Sequence, residues 1–231
     1  MKQRTGKREK RGSISSLFLS IIESPAVRLD ISLIFGLFMN LFYISVNLFP
    51  AIRYGSAWSL AVTVYYAVLV LMRLFLLSAR RLAGSVGEDA ARLCASCRLV
   101  GRLLLLFDTA IAAVMVYTVA DGKIIDYPWY IFIGFGIFTV YSVSGSLVGI
   151  LRSLKNNAPH TLAARNLTLA AALLSVFNLE YTLLVSLGVE RNTVMLVNFL
   201  CGALSVILIG FLAVRLIAVS TEKMHHTHLN P

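Results

Sequence analysis

The sequence predicts an all-α integral membrane protein of six transmembrane helices with both termini on the cytoplasmic side. Three observations carry that prediction. The chain of 231 residues is 58% hydrophobic and only 14% charged, against about 45–50% apolar and about 25% charged in an average soluble domain. Its mean hydropathy is +0.80. The apolar residues form six separated runs, each near the length of about 20 residues that crosses a hydrocarbon core of about 30 Å. The basic residues gather at one set of run ends, as the positive-inside rule requires.

Taken in order, Met1 to Arg11 is a basic leader. Ile14, Leu17, Phe18, Ile21 and Ile22 follow at offsets of 0, 3, 4, 7 and 8, one apolar face of a short helix that stops at Pro25. A basic flank beside an amphipathic turn or two predicts a segment lying on an anionic inner leaflet. Residues 1–28 are thus assigned to a cytoplasmic leader, 29–218 to the membrane domain and 219–231 to a short cytoplasmic tail.

The predicted spans are Ile31–Phe49, Trp58–Leu77, Leu103–Ala120, Trp129–Leu151, Leu162–Leu187 and Thr193–Ala218. Pro50 and Gly55 bracket the first turn, and Gly188 to Asn192 makes an equally short fifth one. Turns this short make antiparallel neighbours of helices one and two and of helices five and six. Arg80, Arg81, Arg92, Arg98, Arg102, Arg152, Lys155, Arg165, Arg215 and Lys223 fall on the side of the basic leader. The other side holds Arg53, Lys123 and Arg191 together with Asp121, Asp126 and Glu190.

Polar and small residues recur at helical spacing inside the spans. Gly36, Asn40, Tyr43 and Asn47 line one face of helix one, and Ser59, Thr63, Tyr66 and Arg73 one face of helix two. Helix five repeats the pattern with Thr168, Ser175, Asn178, Thr182 and Ser186, and helix six with Asn198, Gly202 and Ser205. Such faces turn away from lipid. They serve either close helix packing or a hydrated pathway lined by helices one, two, five and six. In helix four, Gly145 with Gly149 and Ser142 with Ser146 are small-xxx-small pairs that favour close approach.

Arg73 is the one charge between Trp58 and Leu77, and a buried arginine costs about 2.5–3.5 kcal/mol on insertion scales. Asp108 lies at nearly the same depth in helix three, which predicts an Arg73–Asp108 ion pair. The alternative is that Arg73 extends its head to the surface. Glu180 lies off the polar face of helix five, within reach of Asn198 or Arg191. Cys94 and Cys97 form a C-x-x-C on the side that also holds His225, His226 and His228. Two thiolates and two imidazoles would suit a tetrahedral zinc site; otherwise they are reduced thiols at the start of helix three, and Cys201 packs inside helix six.

No P-loop, G-x-S-x-G, H-E-x-x-H or dinucleotide fingerprint occurs in the sequence, so neither an enzyme nor a cofactor is expected. The net charge of +10 is spent on topology and not on a nucleic-acid surface. The expected partners are the bilayer, with its anionic inner leaflet, and a second copy of the chain in a homodimer; the solute is left open. Gly36-x-Phe38 recurs as Gly136-x-Phe138, an echo between two three-helix halves of the kind that inverted-repeat transporters show.

The layout over residues 30–218 resembles the membrane domain of the cation diffusion facilitator family. Gly55-Ser56-Ala57-Trp58-Ser59-Leu60-Ala61 is similar to that family's G-S-x-A-L-L-A before helix two, and Ala164-Arg165-Asn166-Leu167-Thr168 to its A-D-A-L-H before helix five. The resemblance implies a bundle of helices one, two, four and five with helices three and six paired beside it. The family's metal ligands are absent, because Tyr65, Leu69, Thr168 and Ala172 stand at their positions. Arg53 to Trp58 followed by Ala61 to Leu77 is also similar to uncharacterised membrane proteins of Gram-positive bacteria. The expected function is that of a small secondary-transporter-like protein other than an ordinary zinc exporter. The alternative is a membrane scaffold or accessory subunit.

Overall fold

A computed structural model describes residues 25–86, 90–121, 128–153 and 158–229, all within or beside six helices. These are α1 (Pro25–Tyr54), α2 (Ala57–Val86), α3 (Ala90–Asp121), α4 (Trp129–Ser153), α5 (Pro159–Ser186) and α6 (Arg191–Leu229). All six are long and apolar enough to cross a membrane, and the fold is compatible with a multi-pass membrane protein. The leader helix expected over Ile14 to Ile22 lies outside the described residues.

Each helix occupies its predicted run, but most overshoot it. α1 begins at Pro25 and continues through Pro50 to Tyr54. Proline fits the first helical turn, where its missing N–H has no partner anyway. Inside a span it is tolerated when neighbouring groups take up the freed carbonyl. Pro50 therefore does not open the first turn as expected. Gly55 does, with φ of +63°, a left-handed backbone that glycine alone adopts without cost. Ser56 then caps α2, its Oγ accepting a hydrogen bond from the Ser59 N–H at 3.1 Å. The fifth turn is a Schellman close. Gly188 has φ of +65°, its N–H bonds the Val185 carbonyl at 3.0 Å, and the Val189 N–H reaches the Leu184 carbonyl at 3.2 Å. At the far end α6 runs without a break to Leu229, so residues 219–229 continue the last helix.

Cross-helix contacts fix the arrangement. α4 and α5 are antiparallel: Thr139 Oγ1 donates to the Ser175 carbonyl at 3.1 Å and Ser146 Oγ to the Thr168 carbonyl at 3.3 Å. α3 and α6 are antiparallel and pack along their length, with Gly101 against Ala213 and Ile217, and Gly202 against Met115. α1 touches α2, α4 and α5, and α2 touches α5. The four helices α1, α2, α4 and α5 therefore surround one interior. The α3–α6 pair lies beside it, against α2 and α5. Large apolar side chains such as Leu71, Leu106, Val140, Ile207 and Phe211 cover the perimeter.

The structure has a turn end, carrying Gly55 and Gly188, and a basic end, carrying Arg80, Arg92 and Lys223. At the basic end Arg80 pairs with Asp30, tying the start of α1 to the last turns of α2. The Asp30 side chain is 42% exposed, and pairs of that kind contribute less than about 1 kcal/mol. Asp30→Asn is expected to shift the unfolding midpoint in detergent by no more than that pair's contribution. A larger loss would give the pair an organising role.

The three-helix echo does not survive folding. Phe138 is fully buried at the bundle centre, whereas Phe38 is 65% exposed on the perimeter. Gly36 abuts Arg73, while nothing lies within 4 Å of an added Cβ at Gly136. The two motifs match in letters only.

Candidate functional site

The interior of the α1–α2–α4–α5 bundle holds a column of polar groups around an aromatic centre. Tyr43 stacks on Phe138 with ring centroids 4.0 Å apart and lies 4.5 Å from Tyr66. Phe135 closes the cluster, 5.6 Å from Tyr43. Polar groups continue from this centre toward both ends.

Toward the turn end, Asn178 of α5 ties three helices together. Its Oδ1 accepts from Trp58 Nε1 of α2 at 2.9 Å. Its Nδ2 donates to Tyr43 Oη at 2.8 Å and to Asn47 Oδ1 at 3.2 Å, both on α1. The orientation of the amide follows from chemistry. An indole N–H only donates, so Oδ1 must face Trp58 and Nδ2 must face the other two. Asn47 conforms, because its own Nδ2 donates to the Tyr43 carbonyl at 3.0 Å. At mid-depth, Tyr66 Oη donates to the Ala171 carbonyl at 2.6 Å and Ser175 Oγ to the Ala172 carbonyl at 2.8 Å.

Toward the basic end the column finishes on Arg73, which is 2% exposed. Its Nη2 donates to Thr168 Oγ1 at 3.1 Å, and Thr168 Oγ1 in turn donates to the Ala164 carbonyl at 3.0 Å. The guanidinium rests against Gly36 of α1, Nη1 nearest, where a Cβ would meet Cζ at 2.7 Å and Nη2 at 3.1 Å. Arg73 Nε and Nη1 have no hydrogen-bond partner, nor does Asn40 Nδ2, one turn from Gly36 on α1.

The predicted Arg73–Asp108 pair does not form. The one ion pair among the described residues is Arg80–Asp30. Asp108 lies instead on the far side of α2, within electrostatic reach of Tyr65 and with Oδ2 3.5 Å from where a Cβ on Gly210 would sit. Asp108 neighbours Tyr65, which precedes Arg73 by eight residues on α2 and faces a different side of it. Arg73 follows Tyr66 by seven residues, about 20° short of two full turns, so both face the bundle interior. Tyr65 is about 100° around the helix and faces α3. It lines an apolar groove of about 550 Å³ between α2 and α3, with Leu60, Val64, Phe107, Ile111 and Val114. Nor does Arg73 extend its head to the surface, since a side chain leans toward its helix's N-terminus, which for α2 is away from the basic end.

Two further expectations are revised. The column is lined by α1, α2, α4 and α5, with α4 in place of α6. Asn198 lies elsewhere, one turn before Gly202, which meets Met115 and Phe177. Glu180 makes no hydrogen bond to Asn198; neither of its oxygens has a partner, and it acts electrostatically on Cys201 of α6. Ser59, Thr63 and Thr182 do lie on the interior faces. There Thr63 Oγ1 bonds the Ser59 carbonyl and Thr182 Oγ1 the Asn178 carbonyl, each at 2.8 Å. Cys94 and Cys97 are buried on α3, with Lys223 of α6 near Cys94. The side chains of His225, His226 and His228 lie outside the described residues. Among those that are described, no group of three or more His, Cys, Asp or Glu is placed to hold a metal ion.

Sequence reasoning missed Trp58, Thr139 and the Arg80–Asp30 pair. Trp58 marked only a helix start there, although its indole N–H needs an acceptor once buried.

Comparison with family models, curated proteins and solved structures finds no match for the chain. The functional reading therefore rests on the geometry of the column.

Proposed function

We propose that this protein is a small secondary-transporter-like protein of the cytoplasmic membrane, with both termini cytoplasmic and a solute path along the α1–α2–α4–α5 interior. The observation that supports it most is the column itself. Polar groups run from Trp58 and Asn178 near the turn end to Arg73 and Thr168 near the basic end. An uncompensated guanidinium inside a bundle is expensive, and such residues mark pathways more often than packing. The orientation rests on the concentration of Lys and Arg at the basic end.

The layout of four helices with α3 and α6 paired beside them supports the likeness to the cation diffusion facilitator family. The donor set does not support that family's cargo. Tyr65 faces the α2–α3 groove, Leu69 and Ala172 carry no donor, and Thr168 is hydrogen-bonded to Arg73. A divalent transition metal takes imidazole, thiolate or carboxylate ligands, and a buried cation repels a second one.

A scaffold reading is favoured by a different observation. Thr63, Thr168, Thr182 and Ser146 each bond the carbonyl four residues back in their own helix, as hydroxyls do at packed interfaces. Water access separates the two. Single cysteines at Asn40, Thr63 and Ser175, in a chain lacking Cys94, Cys97 and Cys201, are expected to react with a small polar thiol reagent in intact cells. If all three stay inert while Arg53→Cys, exposed at the first turn, labels, the path is absent and the scaffold reading stands.

A further inference from the structure

The geometry points to a binding site for a small monovalent anion, a halide or a short-chain carboxylate, at Arg73 and Asn40 inside the bundle. It rests on the transporter reading for its place on a path, and it names the class of solute.

The unpartnered polar atoms facing this part of the interior are all donors: Arg73 Nε, Arg73 Nη1 and Asn40 Nδ2. Arg73 and Asn40 are 2% and 1% exposed, so bulk water does not serve them. The guanidinium is a cation at neutral pH, and no carboxylate of the described residues lies beside it. Asp30 is held by Arg80, Asp108 sits against α6, and Glu180 acts on Cys201 across the α5–α6 contact.

Helix direction brings these donors together. α1 and α2 are antiparallel, and side chains lean toward the N-terminus of their own helix. Arg73 therefore leans toward the turn end and Asn40 toward the basic end. Asn40 is one turn from Gly36, a Cβ separation of about 5–6 Å on one face, and Gly36 is where the guanidinium rests. Nε and Nη1 lie on different edges of the guanidinium, so one small acceptor takes one of these two donors together with Asn40 Nδ2 and offsets the charge. Thr168 Oγ1 already spends its proton on the Ala164 carbonyl, so it orients the guanidinium without competing for the anion. A single guanidinium matches a single negative charge.

The test uses the purified full-length chain in detergent, in potassium gluconate, with chloride, formate or acetate replacing gluconate at constant ionic strength. A saturable rise in the unfolding midpoint is expected, with halide and carboxylate arms read separately. Arg73→Met is expected to abolish it. Should that variant fail to purify, Asn40→Leu is expected to weaken the apparent Kd about tenfold, the loss of one charge-assisted hydrogen bond. Arg73→Lys keeps the charge but not the fork, and is expected to weaken binding by a similar factor. No midpoint shift with any of the three anions overturns the site, as does an equal shift in wild type and in the Asn40 and Arg73 variants. The two readings fail separately: anion binding with inert pathway cysteines leaves the site and removes the path, and labelled cysteines without an anion shift do the reverse.

Discussion

Asn178→Leu is expected to destabilise the folded protein by about 2–4 kcal/mol, whereas Tyr43→Phe costs about 0.5–1.5 kcal/mol. The difference comes from what each change leaves behind. Tyr43→Phe removes one acceptor, and the Asn178 amide keeps its bonds to Asn47 and Trp58. Asn178→Leu orphans the Trp58 indole N–H and strips a partner from Tyr43 Oη and Asn47 Oδ1 at once. Interhelical hydrogen bonds in membranes average only about 0.6 kcal/mol, because the unfolded chain finds other partners in the bilayer. Three buried groups losing one partner at once exceed that average. Unfolding by denaturing detergent in mixed micelles reads both variants. Equal losses would mean that Asn178 is one contact among many and does not hold α1, α2 and α5 together.

Much of this fold was legible in the sequence, and the limits have physical causes. Six apolar runs gave six helices, because hydrocarbon leaves the backbone no other way to satisfy its polar groups. Their ends were harder to read. Hydropathy falls where a run leaves the apolar layer, but α6 continues through Thr221, Glu222 and Lys223, residues that a helix accepts as readily as a loop. Rotation was harder still. Apolar periodicity separates core from water in a soluble helix, but inside a bilayer both faces are apolar. Phe38 and Phe138 follow identical Gly-x spacings, yet one meets the perimeter and the other the aromatic centre. The same ambiguity hid α4 from the polar column, since Phe135 and Phe138 there stand beside Thr139 and Ser146. It also hid that Arg73 and Asp108 face different sides of α2. Polar residues, which carry a sign of direction even in lipid, were read better. Asn40, Tyr43, Asn47, Thr63, Tyr66, Ser175 and Asn178 are all buried.

Gly36→Leu is expected to destabilise the chain strongly while Arg73 is present and far less once Arg73 is shortened. An added Cβ alone falls 2.7 Å from Arg73 Cζ, well inside contact distance, so one of the two groups must move. A surface arginine would swing away at little cost. This one is enclosed by α1, α2 and α5 and held by Thr168, so relief requires breaking that bond or parting the helices. Overpacking of this kind costs about 1–3 kcal/mol, with the lost Thr168 bond added. Arg73→Ala empties the space that the leucine needs and removes the buried charge. The double variant is therefore expected to recover at least about 1 kcal/mol relative to the sum of the singles, the coupling expected of groups in direct contact. The measurement is again the unfolding midpoint, for wild type, both singles and the double. Additive losses would place the guanidinium somewhere other than against Gly36. The convergence of Arg73 with Asn40 would then go with it, because Gly36 is the point from which that geometry is built.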